Sequence, residues 1–158
     1  MELIIGILAS QENEVVGEIL DNLGNYVGAV ICKSSEEKDI LKCFEESYVN
    51  LIILAGYTKR ISDDFISKYP GRILNIHPSL LPKFGGKGMY GRAVHEAVIA
   101  SGDEKSGATI HIVEGDYDVG KIVAQKEINI VGDDIDSLEK KIIEIEKDLI
   151  CEVLGDYI

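Results

Sequence analysis

Four apolar runs, ELIIGIL (2–8), YVGAVIC (26–32), VNLIILAG (49–56) and GRILNI (71–76), carry their hydrophobic residues consecutively instead of in alternation. Consecutive apolar positions suit strands covered on both faces, as in parallel sheets. The segments between them change period. Val15, Val16, Ile19, Leu20 and Leu23 fall on one helical stripe, Ile40, Leu41 and Phe44 on a second, and SDDFISKY (62–69) makes a shorter third. Alternation of strand and helix predicts right-handed crossovers and an α/β fold with a doubly wound, mostly parallel sheet.

Beyond residue 91 the pattern predicts a helix over GRAVHEAVIASG ending near Gly102, then strands over GATIHIVE (107–114) and KIVAQKEINI (121–130), joined by the polar turn GDYDVG. Asp136, with Glu139 three residues later, predicts a capping box for a last helix whose apolar positions are Leu138, Ile142, Ile145, Leu149 and Val153. No repeat, linker or low-complexity tract interrupts the chain. Its 158 residues are expected to form a single domain, 1–158.

Composition narrows the function. A hydrophobic share of 46% with 28% charged residues is that of a folding domain. The net charge of -12 argues against nucleic acid or an anionic membrane as partner, because both need basic patches. The apolar start MELIIGILAS has no basic leader and is too short to span a bilayer, so secretion is not expected. Cys32, Cys43 and Cys151 are odd in number, widely spaced and without a C-x-x-C pair, which suggests neither a disulfide framework nor a zinc site and places the chain in a reducing cytoplasm.

The chemistry gathers around LNIHPSLLPKFGGKGMYG, residues 74–91. A long loop after a buried strand in an open α/β sheet is where ligands sit. Asn75 and His77 are two residues apart, so a strand puts both on one face, where they can converge on one atom. The same spacing also suits a strand end whose polar groups only bond local backbone. Gly85, Gly86 and Gly88 around Lys87 allow either close backbone approach to an anion or a plain loop excursion. GDYDVG lacks the spacing and the later glutamate of a calcium loop. His95 is expected at the surface or partly packed. His111, alternating with Ile110 and Ile112, faces either a cleft or water.

Taken together, AGYTKRISDDFISKYPGRILNIHPSLLPKF, GGKGMYGRAVHEAV, SGATIHIV and DYDVGKIVAQ resemble the folate-dependent formyltransferases, in particular the branch acting on glycinamide ribonucleotide. The resemblance runs from about Val49 to Ile130. It implies 10-formyltetrahydrofolate as co-substrate, a primary amine as acceptor, no metal, and Asn75, His77 and Asp118 as the catalytic trio. It also implies a folate pocket along Thr58, Lys59, Arg60 and Ile61 and along Glu114, Gly115, Asp116 and Tyr117, and a site position for His111. The partners implied are the small molecules glycinamide ribonucleotide and folate, and a homodimer is compatible with this reading.

The chain departs from that pattern on the acceptor side. Where the family has a glycine-rich phosphate loop, this sequence reads ILASQENEVVGEIL, leaving backbone N–H groups near Ser10, Gln11, Glu12 and Asn13, with Lys87 as a further candidate for the phosphate. Glu12 and Glu14 bring negative charge there unless they point away. ICKSSEEKDILKCFEES is short and reads as the loss of a strand and helix at one sheet edge. Glu146 matches a family glutamate that contacts the substrate's sugar, without the proline that usually follows. These departures leave two alternatives beside the glycinamide reading: a formyltransferase for another primary amine such as an amino sugar, or a folate-binding homologue with impaired catalysis.

Overall fold

A computed structural model describes residues 1–158. Its order is β1 (Ile5–Ala9), α1 (Glu14–Leu23), β2 (Val27–Cys32), α2 (Glu37–Glu46), β3 (Leu51–Ala55), α3 (Asp63–Lys68), β4 (Ile73–His77), α4 (Arg92–Ser101), β5 (Lys105–Ile112), β6 (Ile122–Asn129) and α5 (Ile135–Gly155). The strands form one sheet in the order β2-β1-β3-β4-β5-β6. Pairings among β2, β1, β3 and β4 are parallel, and those of β4 with β5 and β5 with β6 are antiparallel.

The apolar runs behave as expected at the centre and differ at the edge. β1 and β3 are buried at every position. Alternate side chains feed opposite cores. Ile5, Ile7, Leu51 and Ile53 pack with Val16 and Ile19 of α1 and Leu149, Ile150 and Val153 of α5. Leu8, Ile52 and Leu54 pack with Ile40 and Phe44 of α2 and Phe65 of α3 on the other face, so the sheet is doubly wound. Phe44 is fully buried, and its truncation to Ala would cost roughly 3–5 kcal/mol. The run over 26–32, equally apolar, is an edge strand: β2 is half-buried and Val30 is 39% exposed. An apolar run does not distinguish a central strand from an edge strand.

The last helix starts two residues before the expected cap. Asp134, not Asp136, is the N-cap: its carboxylate accepts from Ser137 N at 2.8 Å while its own N–H donates to Ser137 Oγ at 3.0 Å. Asp136 instead lies in the first turn and bonds Arg92 of α4 at 2.7 Å. Serine does at the third helical position what glutamate was expected to do. A third cluster, Val94, Val98, Ile130, Leu138 and Ile142, fixes α4 against α5.

From β1 the chain moves outward to β2, then returns across to β3 on the other side of β1. Connections diverge at that point, and a crevice opens beyond the carboxyl ends of β1 and β3.

Candidate active site

The crevice is a cleft of about 480 Å³. Asn13 builds its β1 edge. Its Oδ1 caps α1 by accepting from Val16 N at 3.0 Å, and its Nδ2 donates to Ala55 O at the end of β3, also at 3.0 Å. Ser10 joins the same two strand ends, with Oγ accepting from Thr58 N at 3.0 Å. Ser10, Gln11, Asn13 and Thr58 all line the cleft.

The strands supply the polar centre. Parallel pairing with β3 buries β4 to its end, so His77, the last residue of that strand, is 3% exposed. Antiparallel register sets Asn75 opposite His111 on β5, and His111 is 1% exposed. His111 therefore faces inward, where it lines a small hollow, and not open water. Its Nδ1 donates to Ile112 O at 3.0 Å, which leaves Nε2 to accept from Asn75 Nδ2 at 3.1 Å. Burial pushes the His111 imidazole down, beyond what its backbone bond and Asp118 restore, so this ring is the neutral tautomer.

The turn after β5 carries Asp118 into the same cluster with φ of 55°, a left-handed conformation that Asp tolerates better than most residues. Asp118 Oδ1 lies 3.2 Å from His77 Nδ1 and 3.3 Å from Asn75 Nδ2, and Oδ2 accepts from Gly86 N at 2.9 Å. Burial pushes the Asp118 carboxyl up, but the hydrogen bond and charge of His77, with the Gly86 N–H, outweigh it and hold the group below the usual carboxylate range. The other His77 nitrogen, Nε2, meets Phe84 O at 2.8 Å. A carbonyl and a carboxylate are both acceptors, so this geometry suits a ring protonated on both nitrogens.

Of the remaining residues singled out from the sequence, Lys59, Arg60, Ile61, Gly115, Asp116 and Tyr117 line a smaller hollow that shares Asn75 and Asp118 with the main cleft. Arg60 Nε pairs with Asp116 at 3.3 Å, linking the two segments, and Lys59 Nζ bonds Ser34 Oγ at 2.7 Å. Glu114 is exposed and accepts from Lys121 N at 3.0 Å, outside both hollows. Glu146 lines the cleft with no salt-bridge partner, and desolvation pushes its carboxyl up to about 8. Glu12 and Lys87 are exposed and line neither hollow. Glu14, the first residue of α1, does line the cleft, so of these two acidic residues one borders it.

Three features were not read from the sequence. Tyr57 lies at the junction of both hollows, Glu139 of α5 lines the cleft, and His95, expected at the surface or partly packed, is 4% exposed and lines it too. Helical spacing carried the signal for His95, which adjoins Val94 and lies three residues before Val98, both fully buried.

Fold and site together define an α/β protein with acid–base and hydrogen-bond-donor groups converging at a switch-point crevice. Residues 8–154 match the family described as formyl transferase, and the chain belongs to that family. It is 45% identical over 122 residues to phosphoribosylglycinamide formyltransferase, chloroplastic, of Arabidopsis thaliana, covering 77% of this chain and 41% of that protein. It is 38% identical over 115 residues to phosphoribosylglycinamide formyltransferase of Bacillus subtilis (strain 168), covering 72% and 56%. The matches thus span about half, or less, of these relatives' length. The crystal structure of phosphoribosylglycinamide formyltransferase from Streptococcus pneumoniae TIGR4 superposes with a TM-score of 0.80 at 29% identity, covering 99% of each chain.

Proposed function

We propose that this protein transfers the formyl group of 10-formyltetrahydrofolate to the primary amine of glycinamide ribonucleotide, a step of de novo purine synthesis in the cytoplasm. The observation that carries the reading is the cluster of Asn75, His77, His111 and Asp118 at the junction of two hollows, so that two small molecules can meet there. Lys59–Ile61 and Gly115–Tyr117 line the hollow that suits the folate, and Tyr57 and Tyr117 flank its entrance to the cleft with aromatic surface.

In this reading the amine nitrogen attacks the formyl carbon, a C–N bond forms, and the carbonyl oxygen becomes an oxyanion. Asn75 N–H and His77 stabilise that charge, with the oxyanion taking over the long 3.3 Å contact that Asn75 now makes to Asp118. Asp118 holds the His77 ring in place through Nδ1. Collapse of the tetrahedral centre breaks the bond to the folate nitrogen, which leaves with a proton from His77, and the proton of the attacking amine passes to the cluster. Steady-state assays with both substrates test this. Formyl transfer to glycinamide ribonucleotide that disappears in His77→Ala is the expected result, and no turnover at millimolar acceptor would sink the proposal.

An acceptor without phosphate is the alternative reading. The cleft is lined by Glu14, Asp118, Glu139 and Glu146 and by no lysine or arginine, so a phosphate would find backbone N–H groups and side chains such as Asn13 and Ser10 as its partners, beside acidic residues. An amino sugar without phosphate suits such a wall. The same assay with an amino sugar, run beside glycinamide ribonucleotide, distinguishes them by kcat/KM.

A further inference from the structure

The three histidines near the crevice differ in how their rings are held. Both nitrogens of His77 and of His111 have hydrogen-bond partners. His95 has an Nδ1 that is closed off from solvent and bonded to nothing, the one buried side-chain nitrogen or oxygen in the molecule so placed. Leaving a buried polar atom unmatched costs about 1–3 kcal/mol, and an apolar residue beside Val94 would avoid it. The cost marks a position where packing alone does not explain the residue.

His95 lines the cleft together with Met89, Tyr90 and Gly91 of the preceding loop and Glu139 and Glu146 of α5. Burial pushes its imidazole down. Glu139 opposes this, while Arg92 and His77 reinforce it, so the ring is neutral at neutral pH. Arg92 is engaged elsewhere, with Asp136, Glu96 and Glu139. A neutral ring carries one proton. An unprotonated Nδ1 without a partner costs less than a buried N–H aimed at nothing, which leaves the proton on Nε2, the nitrogen that is not closed off.

We infer that His95 is a further specificity-determining residue, donating a hydrogen bond from its cleft-facing edge to an oxygen of the acceptor substrate, a hydroxyl or carbonyl near the reacting amine. This rests on the formyl-transfer reading above. Among the acidic side chains of this wall, an uncharged donor selects a polar, oxygen-bearing amine over a simple alkylamine.

The test is steady-state kinetics with glycinamide ribonucleotide and with an amino sugar, varying acceptor and folate separately. For the acceptor that the unaltered protein uses, His95→Ala should raise KM about fivefold or more, the loss of one hydrogen bond, while the folate KM stays within twofold. His95→Gln, which keeps an N–H donor, should recover most of that loss. If His95→Ala fails to fold, His95→Leu against His95→Gln makes the same comparison at similar volume. An acceptor KM unchanged in the donorless variant, or equal rises for both substrates, overturns the inference and leaves the formyl-transfer reading standing. Failure of the unaltered protein to formylate either amine overturns both.

Discussion

His77 Nδ1 lies 3.2 Å from Asp118 Oδ1 although the two residues are 41 positions apart on different elements, and each is held from a second side by the glycine loop: His77 by Phe84 O, Asp118 by Gly86 N. The pair is thus clamped to the loop that borders the cleft. Asp118→Asn keeps the shape but removes the charge that His77 faces across this contact. Turnover should fall by roughly 10²-fold or more, with the thermal midpoint little changed. A variant retaining near-parental turnover would take Asp118 out of the mechanism.

Glu146 gives a prediction with a defined sign. Its folded-state pKa of about 8 exceeds the ordinary value of 4.5, so the unfolded chain releases the proton first. Below 4.5 both states are protonated and the residue makes no pH-dependent contribution; between 4.5 and about 8 stability falls as pH rises; above 8 it levels off. Glu146→Gln removes this slope. Unfolding free energies at pH 5 and pH 8 should differ by a few kcal/mol less in the variant than in the parent. Equal differences would show that the carboxyl ionises freely in the cleft.

How far the sequence foretells this site depends on the range of the interactions. Asn75 and His77 share one strand, and their common face follows from a period of two. His95 was expected at the surface or partly packed, because helical spacing beside valines does not say what lies against that face; the packing of α4 on α5 leaves it 4% exposed. The edge position of β2 was equally hidden, since its order in the sheet comes from crossovers and not from the apolarity of VGAVIC. Lys87 was singled out for its charge among flexible glycines. Charge alone does not say which way a side chain points, and it lines neither hollow.

Asn13 is both helix cap and brace, so its removal should have two separable effects. Asn13→Ala loses the bond to Val16 N and the tie to Ala55 O, at a cost of about 1–2 kcal/mol. Asn13→Asp keeps the cap but cannot donate to Ala55. In chemical denaturation the Asp variant should lie between the parent and Ala, and both should raise the acceptor KM more than the folate KM. Identical stabilities for the two variants would mean that the cap contributes nothing, and an Asp variant as stable as the parent would mean the same of the tie to β3.

Gly120 sits two residues past Asp118 with φ of 138°, and a Cβ there would lie 1.7 Å from Ile112 O and 2.9 Å from Ile112 C. The obstruction is backbone, and that backbone is fixed: Ile112 N donates to Lys121 O at 2.9 Å, and Val113 N to Ile73 O at 2.8 Å. Gly120→Ala must therefore move the turn, and Asp118 with it. Gly132 also has positive φ, 84°, but a Cβ there meets nothing within 4 Å, so Gly132→Ala carries only the conformational cost of about 1–2 kcal/mol. Both variants should be less stable than the parent, yet only Gly120→Ala should lose turnover, by an amount approaching that of Asp118→Asn. If turnover in both tracks stability alone, the geometry of this turn has no special part in placing the carboxylate.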